Sequence, residues 1–238
     1  MDDDAPISLI ELLEGVHHFS TRIYPENQAM FADLALGQSP HTLFITCADS
    51  RVSPGMITQR APGNLFVLRN IGNIVPAYGE MLGGVSAAIE YAVVAIGVEN
   101  IIVCGHSDCG AMKAMLDPAG NKLPTMPTVS SWLRSAEAAL AVTYALKPDE
   151  HDPDRLTTLV EQNVLLQLAH LRTHPAVAAR LAEGRLKLQG WVYDIRHGVI
   201  HVMDEQSRKV ISVEEALARL RSDADTIDGP RQKEARAS

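Results

Sequence analysis

Apolar and polar positions follow two different rhythms along this chain. In "SLIELLEGVHHFSTRIY" the rhythm is helical: Leu9, Leu12, Leu13 and Val16 share one face, while Glu11 and Glu14 take the other. "ENQAMFADLALG" predicts a second helix, with Pro25 dividing the two. "HTLFITC" breaks the rhythm. Its continuous apolar run, ending near Cys47, predicts a buried strand, and "LFVLRN" and "NIIVCGH" predict two more. Between these, "GVSAAIEYAVVAIG" returns to a helical period, with Val85, Ala88, Ile89, Ala92 and Ile96 on one face and Gly97 as the C-cap. "CGAMKAML" opens another helix. Residues 127–145 and 155–183 are helical by period, the second stretch divided at Pro175. "LKLQGWVYDI" and "GVIHVMD" predict a late hairpin turning on "RHG".

Apolar strands alternating with helices predict an α/β fold: a mainly parallel central sheet with helices on both faces. The hairpin adds a late antiparallel edge strand, and residues 1–35 form an N-terminal helical arm. No linker interrupts the chain, so residues 1–221 are read as one domain and 222–238 as a polar, flexible tail.

Composition narrows the partners. The net charge of −8 argues against nucleic acid. The acidic start "MDDDAPISLIELL" lacks the features of a secretory signal, and the longest apolar stretch, Gly83 to Gly97, is broken by Glu90. The expectation is a cytoplasmic protein with no membrane partner. Its three cysteines, Cys47, Cys104 and Cys109, do not make a disulfide framework there. Metal binding, catalysis and plain burial are the remaining uses.

Candidate chemistry gathers at two strand ends. "FITCADSRVSP" places a thiol, a carboxylate and a guanidinium at Cys47, Asp49 and Arg51. "GHSDCG" places His106 and Cys109 three apart beyond another buried strand. Loops at the carboxyl ends of parallel strands share one crevice, so these groups converge if their strands are neighbours. Each piece alone has a plainer reading: a buried cysteine behaves as a small hydrophobe, and Asp49 with Arg51 is an ordinary ion pair. Together, two thiolates and an imidazole suit zinc, and three protein ligands leave the open position of a catalytic site. Cys104 shares a strand face with His106, which admits it as a fourth ligand of a closed, structural site. Burial within its apolar strand is the plainer alternative. His170 and His174 stand four apart on a helix with no third ligand apparent, so they are read as surface or packing residues. No nucleotide-binding glycine pattern is present.

"CADSR" followed by "HSDCG" resembles the CxDxR and HxxC motifs of the β-class carbonic anhydrases, and "GNLFVLRNIGNIVP", "GGVSAAIEYAV" and "GWVYDI" resemble that family too. Among its branches, the chain is most similar to the bacterial one associated with cyanate breakdown. The resemblance implies reversible hydration of CO2 to bicarbonate and a proton by zinc-bound hydroxide. It implies one zinc per subunit on Cys47, His106 and Cys109, with Asp49 and Arg51 as the catalytic dyad. Gln38, Phe66 and Tyr91 match pocket-lining residues, and Gly110 follows the last ligand as in the family. Val75 is a further apolar candidate for the CO2 pocket. A pocket shared with a neighbouring subunit implies a homodimer or a higher homo-oligomer. Some members carry a regulatory bicarbonate site marked by a Trp three residues before the first Cys. Here that position is Phe44, so the resemblance does not carry that regulation over. Two other functions share these residues: hydrolysis of carbonyl sulfide or carbon disulfide, and a non-enzymatic, zinc-stabilised binding module that uses Cys104 as a fourth ligand.

Overall fold

The structure is a computed structural model that describes residues 7–222. All but the first residue of the expected polar tail therefore lies outside the described residues. The described chain falls into two compact units, parted between Ser39 and Pro40.

The first unit is helical. Helix α1 (Leu9–His18) starts at a capping box: Glu11 N–H donates to Ser8 Oγ and Ser8 N–H donates to the Glu11 carboxylate. It continues through a wider turn (Phe19–Ile23) into the single turn α2 (Tyr24–Glu26), and α3 (Gln28–Leu34) follows. The break expected at Pro25 comes two residues later, at Asn27. Pro25 follows directly on the wider turn, within a chain that stays helical from Leu9 to Glu26. Asn27 instead leaves the helical region, at φ −117°, and its side-chain amide donates to the Ile23 carbonyl at 2.8 Å. Tyr24 stacks on Phe31 and both meet Phe19 edge to face, yet α1 itself buries none of its side chains.

The second unit is built on a six-stranded sheet of order β2-β1-β3-β4-β5-β6. Strands β1 (Thr42–Cys47), β2 (Leu65–Asn70), β3 (Asn100–His106) and β4 (Lys187–Asp194) are parallel. β5 (Val199–Asp204) and β6 (Lys209–Ile211) close the edge in antiparallel fashion. The hairpin of β4 and β5 follows the sequence expectation, and β6 is an addition to it. Helix α4 (Pro54–Thr58) follows β1, and α5 (Gly84–Glu90) follows β2. A wider turn extends α5 to Ile96, and Gly97, at φ 79°, ends it in the left-handed conformation expected of its C-cap. Helix α6 (Gly110–Leu116) follows β3. Then come α7 (Pro127–Leu133), α8 (Glu137–Leu146), α9 (Arg155–Leu171) and α10 (Pro175–Ala182), before β4. Residues 213–222 form α11, which the sequence reading does not anticipate. Its signal was present: Glu215 N–H donates to Ser212 Oγ at the start of "SVEEALARL".

Alternation along the strands gives the sheet two faces. Leu43, Ile45, Ile101 and Val103 join Ile89, Val93, Met112, Val160, Val164 and Leu168 in the main core. Phe44, Ile102 and Cys104 point the other way and pack with Trp191 and Tyr193. Helix α9 lies very close to the main-core face because two strand positions there are glycine. A Cβ on Gly190 would stand 2.7 Å from Val164 Cγ1, and one on Gly105 would stand 2.9 Å from Val164 Cγ2.

Candidate active site

β1 and β3 are direct neighbours, with Thr46 opposite Cys104, so the ends of the two strands meet. Cys47 closes β1, His106 closes β3, and Cys109 is the residue from which α6 starts. Their ligand atoms all lie within 4.8 Å of one another, and all three residues are buried. This is the only such cluster among the described residues.

The protonation chemistry of the cluster tests whether it fits a cation. His106 Nδ1 is 2.9 Å from the Ser107 carbonyl, which fixes that nitrogen as the N–H donor. In the neutral ring Nε2 then carries a lone pair, and it is fully buried with no hydrogen-bond partner. Such an orphan is costly unless something accepts that lone pair. The thiols agree. Cys47 is pushed down by the hydrogen bond from the Cys109 thiol, against the cost of burial, and the Gly72 N–H adds to the effect. Cys109 is pushed up by the same shared proton, by burial and by the Cys47 charge. With no cation, only one of the two gives up its proton. A doubly charged metal ion removes that conflict, so the residues fit a transition-metal site of two thiolates and one imidazole.

Asp49 lies at the mouth of the cluster, with Oδ2 3.8 Å from His106 Nε2, too far for a hydrogen bond. Arg51 grips it in bidentate fashion: Nε donates to Oδ1 at 2.9 Å and Nη2 to Oδ2 at 2.7 Å. The Arg51 backbone N–H adds a third bond to Oδ1 at 3.0 Å. These bonds hold the Asp49 carboxyl well below the usual carboxylate range and push the Arg51 guanidinium up. The other side of Arg51 donates to the Asp108 carboxylate at 3.1 Å, and Asp108 is in turn paired with Lys113. Arg69 holds the loop from beneath, donating to the carbonyls of Cys47 and Asp49.

The other expected residues are more scattered. Phe66, on β2, and Tyr91, following α5, lie with ring centroids 6.1 Å apart. Val75 is fully buried, and Gly110 is the first residue of α6. Gln38 is an exposed residue of the first unit. Cys104 is not in the cluster. It is fully buried with Phe44 and Ile102 on the sheet face away from the main core, donates to the Gly105 carbonyl, and burial pushes its thiol up to about 12. That placement removes the fourth ligand that a closed structural site required.

Sequence reasoning missed the residues that hold the β2–α5 loop. Its carbonyls are claimed one by one by side chains: Ile71 by Trp132, Gly72 by Asn163, Val75 by His170 and Pro76 by His174. His170 and His174, read as surface or packing residues, are backbone clamps. The missed signal was a stripe of polar residues at helical spacing, Asn163, Gln167 and His170 in the buried part of α9, continued by His174 at the start of α10.

A family model described as carbonic anhydrase matches residues 42–200. The carbonic anhydrase of Pseudomonas aeruginosa is 51% identical over 207 residues, covering 86% of this chain and 92% of that protein. Carbonic anhydrase 1 of Escherichia coli O157:H7 is 48% identical over 201 residues, covering 84% and 90%. Among solved structures, the β-carbonic anhydrase CcaA superposes with a TM-score of 0.81 at 40% identity, covering 86% of this chain and 98% of that one. A structure from a study of two tetrameric β-carbonic anhydrases of Sordaria macrospora gives 0.68 at 30% identity, covering 81% and 94%. The buried Cys-His-Cys cluster, the carboxylate at its mouth and these likenesses agree, and the chain belongs to the β-class carbonic anhydrases.

Proposed function

We propose that this chain holds one zinc ion per subunit on Cys47, His106 and Cys109, and that Asp49 and Arg51 serve its reaction as a dyad. The reaction is the family's, the reversible hydration of carbon dioxide to bicarbonate and a proton. The observation that carries the zinc assignment is the orphaned, fully buried His106 Nε2 beside two thiols. When bound, zinc supplies Lewis-acid chemistry that provides a strong oxygen nucleophile near neutral pH.

The chain's own residues do the rest. Ionised Asp49 offers acceptor lone pairs at the mouth of the cluster, where it orients the O–H of an attacking water species. Arg51 keeps that carboxylate ionised and prevents it from turning inward as a ligand. Asp108 holds Arg51 from the far side. The Phe66 and Tyr91 rings, with Val75, form an apolar surface suited to a small substrate without a net dipole. Gly110 offers its backbone N–H, and Gln38 keeps the substrate-binding role that the resemblance implies.

We also read residues 1–221 as one functional domain with a helical arm over 1–35. The chain assembles as a homodimer or a higher homo-oligomer in the cytoplasm, nearest the bacterial branch associated with cyanate breakdown. Two observations support assembly: α1 buries none of its apolar side chains, and a relative from Sordaria macrospora is tetrameric. No helix among the described residues is long and apolar enough to cross a membrane.

The test is stopped-flow CO2 hydration together with metal analysis. Cys109→Ser should lose both zinc and activity. Asp49→Asn should keep its zinc and lose roughly 100-fold or more in kcat/KM. An Asp49→Asn enzyme of full activity, or a Cys109→Ser protein with full zinc, overturns these roles.

A further inference from the structure

The β2–α5 loop contains one donor aimed at the metal cluster: the Gly72 N–H lies 3.4 Å from Cys47 Sγ. That donor depends on an unusual backbone. Gly72 is left-handed at φ 76° and Asn73 follows at φ 49°. A side chain at 72 would be crowded as well as strained, since a Cβ would meet Ala111 Cβ at 3.1 Å and Met112 Cε at 3.3 Å. Gly72 takes that conformation freely, whereas Asn73, a non-glycine residue, persists there only where the surroundings fix it.

The fixing groups come from α9, some ninety residues away. Asn163 Nδ2 donates to the Gly72 carbonyl at 3.0 Å, Gln167 Nε2 to Asn163 Oδ1 at 2.8 Å, and the Val75 N–H to Gln167 Oε1 at 2.8 Å. The Val75 N–H can only donate, so Gln167 must present its oxygen there. Its amide N–H then faces Asn163 Oδ1, and Asn163 must turn its own N–H to Gly72. Both amides are buried, at 1% and 0% exposure, and every bond in the series has a single direction.

We propose that Asn163 and Gln167 are positioning residues for the metal centre, holding the Gly72 N–H on the Cys47 thiolate. The inference rests on Cys47 being a ligand. An N–H directed at a ligand sulfur draws electron density from it, which tunes both metal affinity and the acidity the metal confers. Neither residue touches the substrate or the metal. They act through one backbone amide.

The experiment uses the full chain loaded with cobalt(II), whose thiolate charge-transfer absorption reports on the ligand sulfurs. Metal affinity is measured by competition with a chelator. Asn163→Leu and Gln167→Met each break two of the three bonds with a side chain of similar shape, so a folding failure in one leaves the other to be read. Each is expected to shift the charge-transfer band and to weaken cobalt binding roughly 10-fold. The control is Thr173→Val, which frees the Tyr78 N–H at the far end of the same loop and leaves Gly72 alone. It is expected to keep the wild-type band and affinity. A folded Asn163→Leu or Gln167→Met protein with both values unchanged overturns the inference, as does an equal shift in Thr173→Val. Wild-type protein showing no thiolate band at all overturns the ligand assignment itself.

Discussion

Replacing Gly190 by alanine places one methyl group where α9 meets the sheet. The new Cβ would stand 2.7 Å from Val164 Cγ1, 2.9 Å from Leu168 Cδ1 and 3.2 Å from Met203 Cβ. Ordinary carbon contacts are about 3.5–4.0 Å, so Val164 must retreat by roughly 1 Å. It cannot do so easily, because a β-branched side chain in a helix has one preferred rotamer, and Met203 Cβ moves only with its strand. Overpacking of this kind costs about 3 kcal/mol, the upper end of its usual range. At about 2–4 °C per kcal/mol for a chain of this length, the midpoint should fall by roughly 6–12 °C. Val164→Ala alone loses two buried methyl groups and should cost about 2 kcal/mol. In the double variant, the new methyl at 190 occupies the space vacated at 164. The pair should therefore cost about 2–3 kcal/mol rather than the additive 5, a coupling near the top of the range for touching residues. Urea unfolding at one fixed protein concentration measures all three. Additivity within about 0.5 kcal/mol, or a Gly190→Ala cost below about 1 kcal/mol, would refute the claim that glycine sets the helix-to-sheet distance.

Cys104 should resist alkylation in the native protein. With its thiol pushed up to about 12 by burial, roughly one molecule in ten thousand is thiolate at pH 8, so iodoacetamide should label it only after denaturation. Metal analysis of Cys104→Ser should show a full zinc complement, because this side chain lies outside the cluster. His174 is held below its ordinary value, first by burial, then by the nearby charge of His170; its bond to the Pro76 carbonyl acts the other way. A depressed histidine binds fewer protons when folded than when unfolded. The stability it contributes is present above about pH 6.5 and is lost as pH falls. Between pH 7.5 and 5.5, the wild-type melting temperature should drop more than that of His174→Gln, which keeps a neutral donor of similar reach. Equal slopes would assign the acid sensitivity to other groups.

Much of the site was legible because its chemistry is local in sequence. Cys47, Asp49 and Arg51 sit within five residues, as do His106, Ser107, Asp108 and Cys109, and each group ends an apolar strand. Convergence then needed only the adjacency of β1 and β3, which a parallel sheet readily supplies. Asn163 and Gln167 were not legible in the same way. Polar residues at helical spacing ordinarily mark a solvated face, and their partners lie in a loop with no regular structure to predict. The break at Asn27 instead of Pro25 was missed because the helix widens at Phe19–Ile23, just ahead of the proline, and runs on through it. Gly105 and Gly190 look like ordinary strand glycines until α9 is placed against them. Strand β6, at three residues, is too short for an alternating pattern to register.

The order of the elements also sets a timetable for synthesis. All three ligand residues leave the ribosome before α9 and β4 exist. Asn163 is translated 54 residues after Cys109 (163 − 109). At about 5–20 residues per second, that interval is roughly 3–11 s. During it, the nascent chain carries Cys47 and Cys109 as thiols without the helix that fixes Gly72 or the strand that pairs with β3 up to His106. They are free to meet as a disulfide or to capture whichever soft metal arrives first. A cell making this protein therefore has to keep the two thiols reduced, or correctly metallated, for seconds before the finished fold takes over that task.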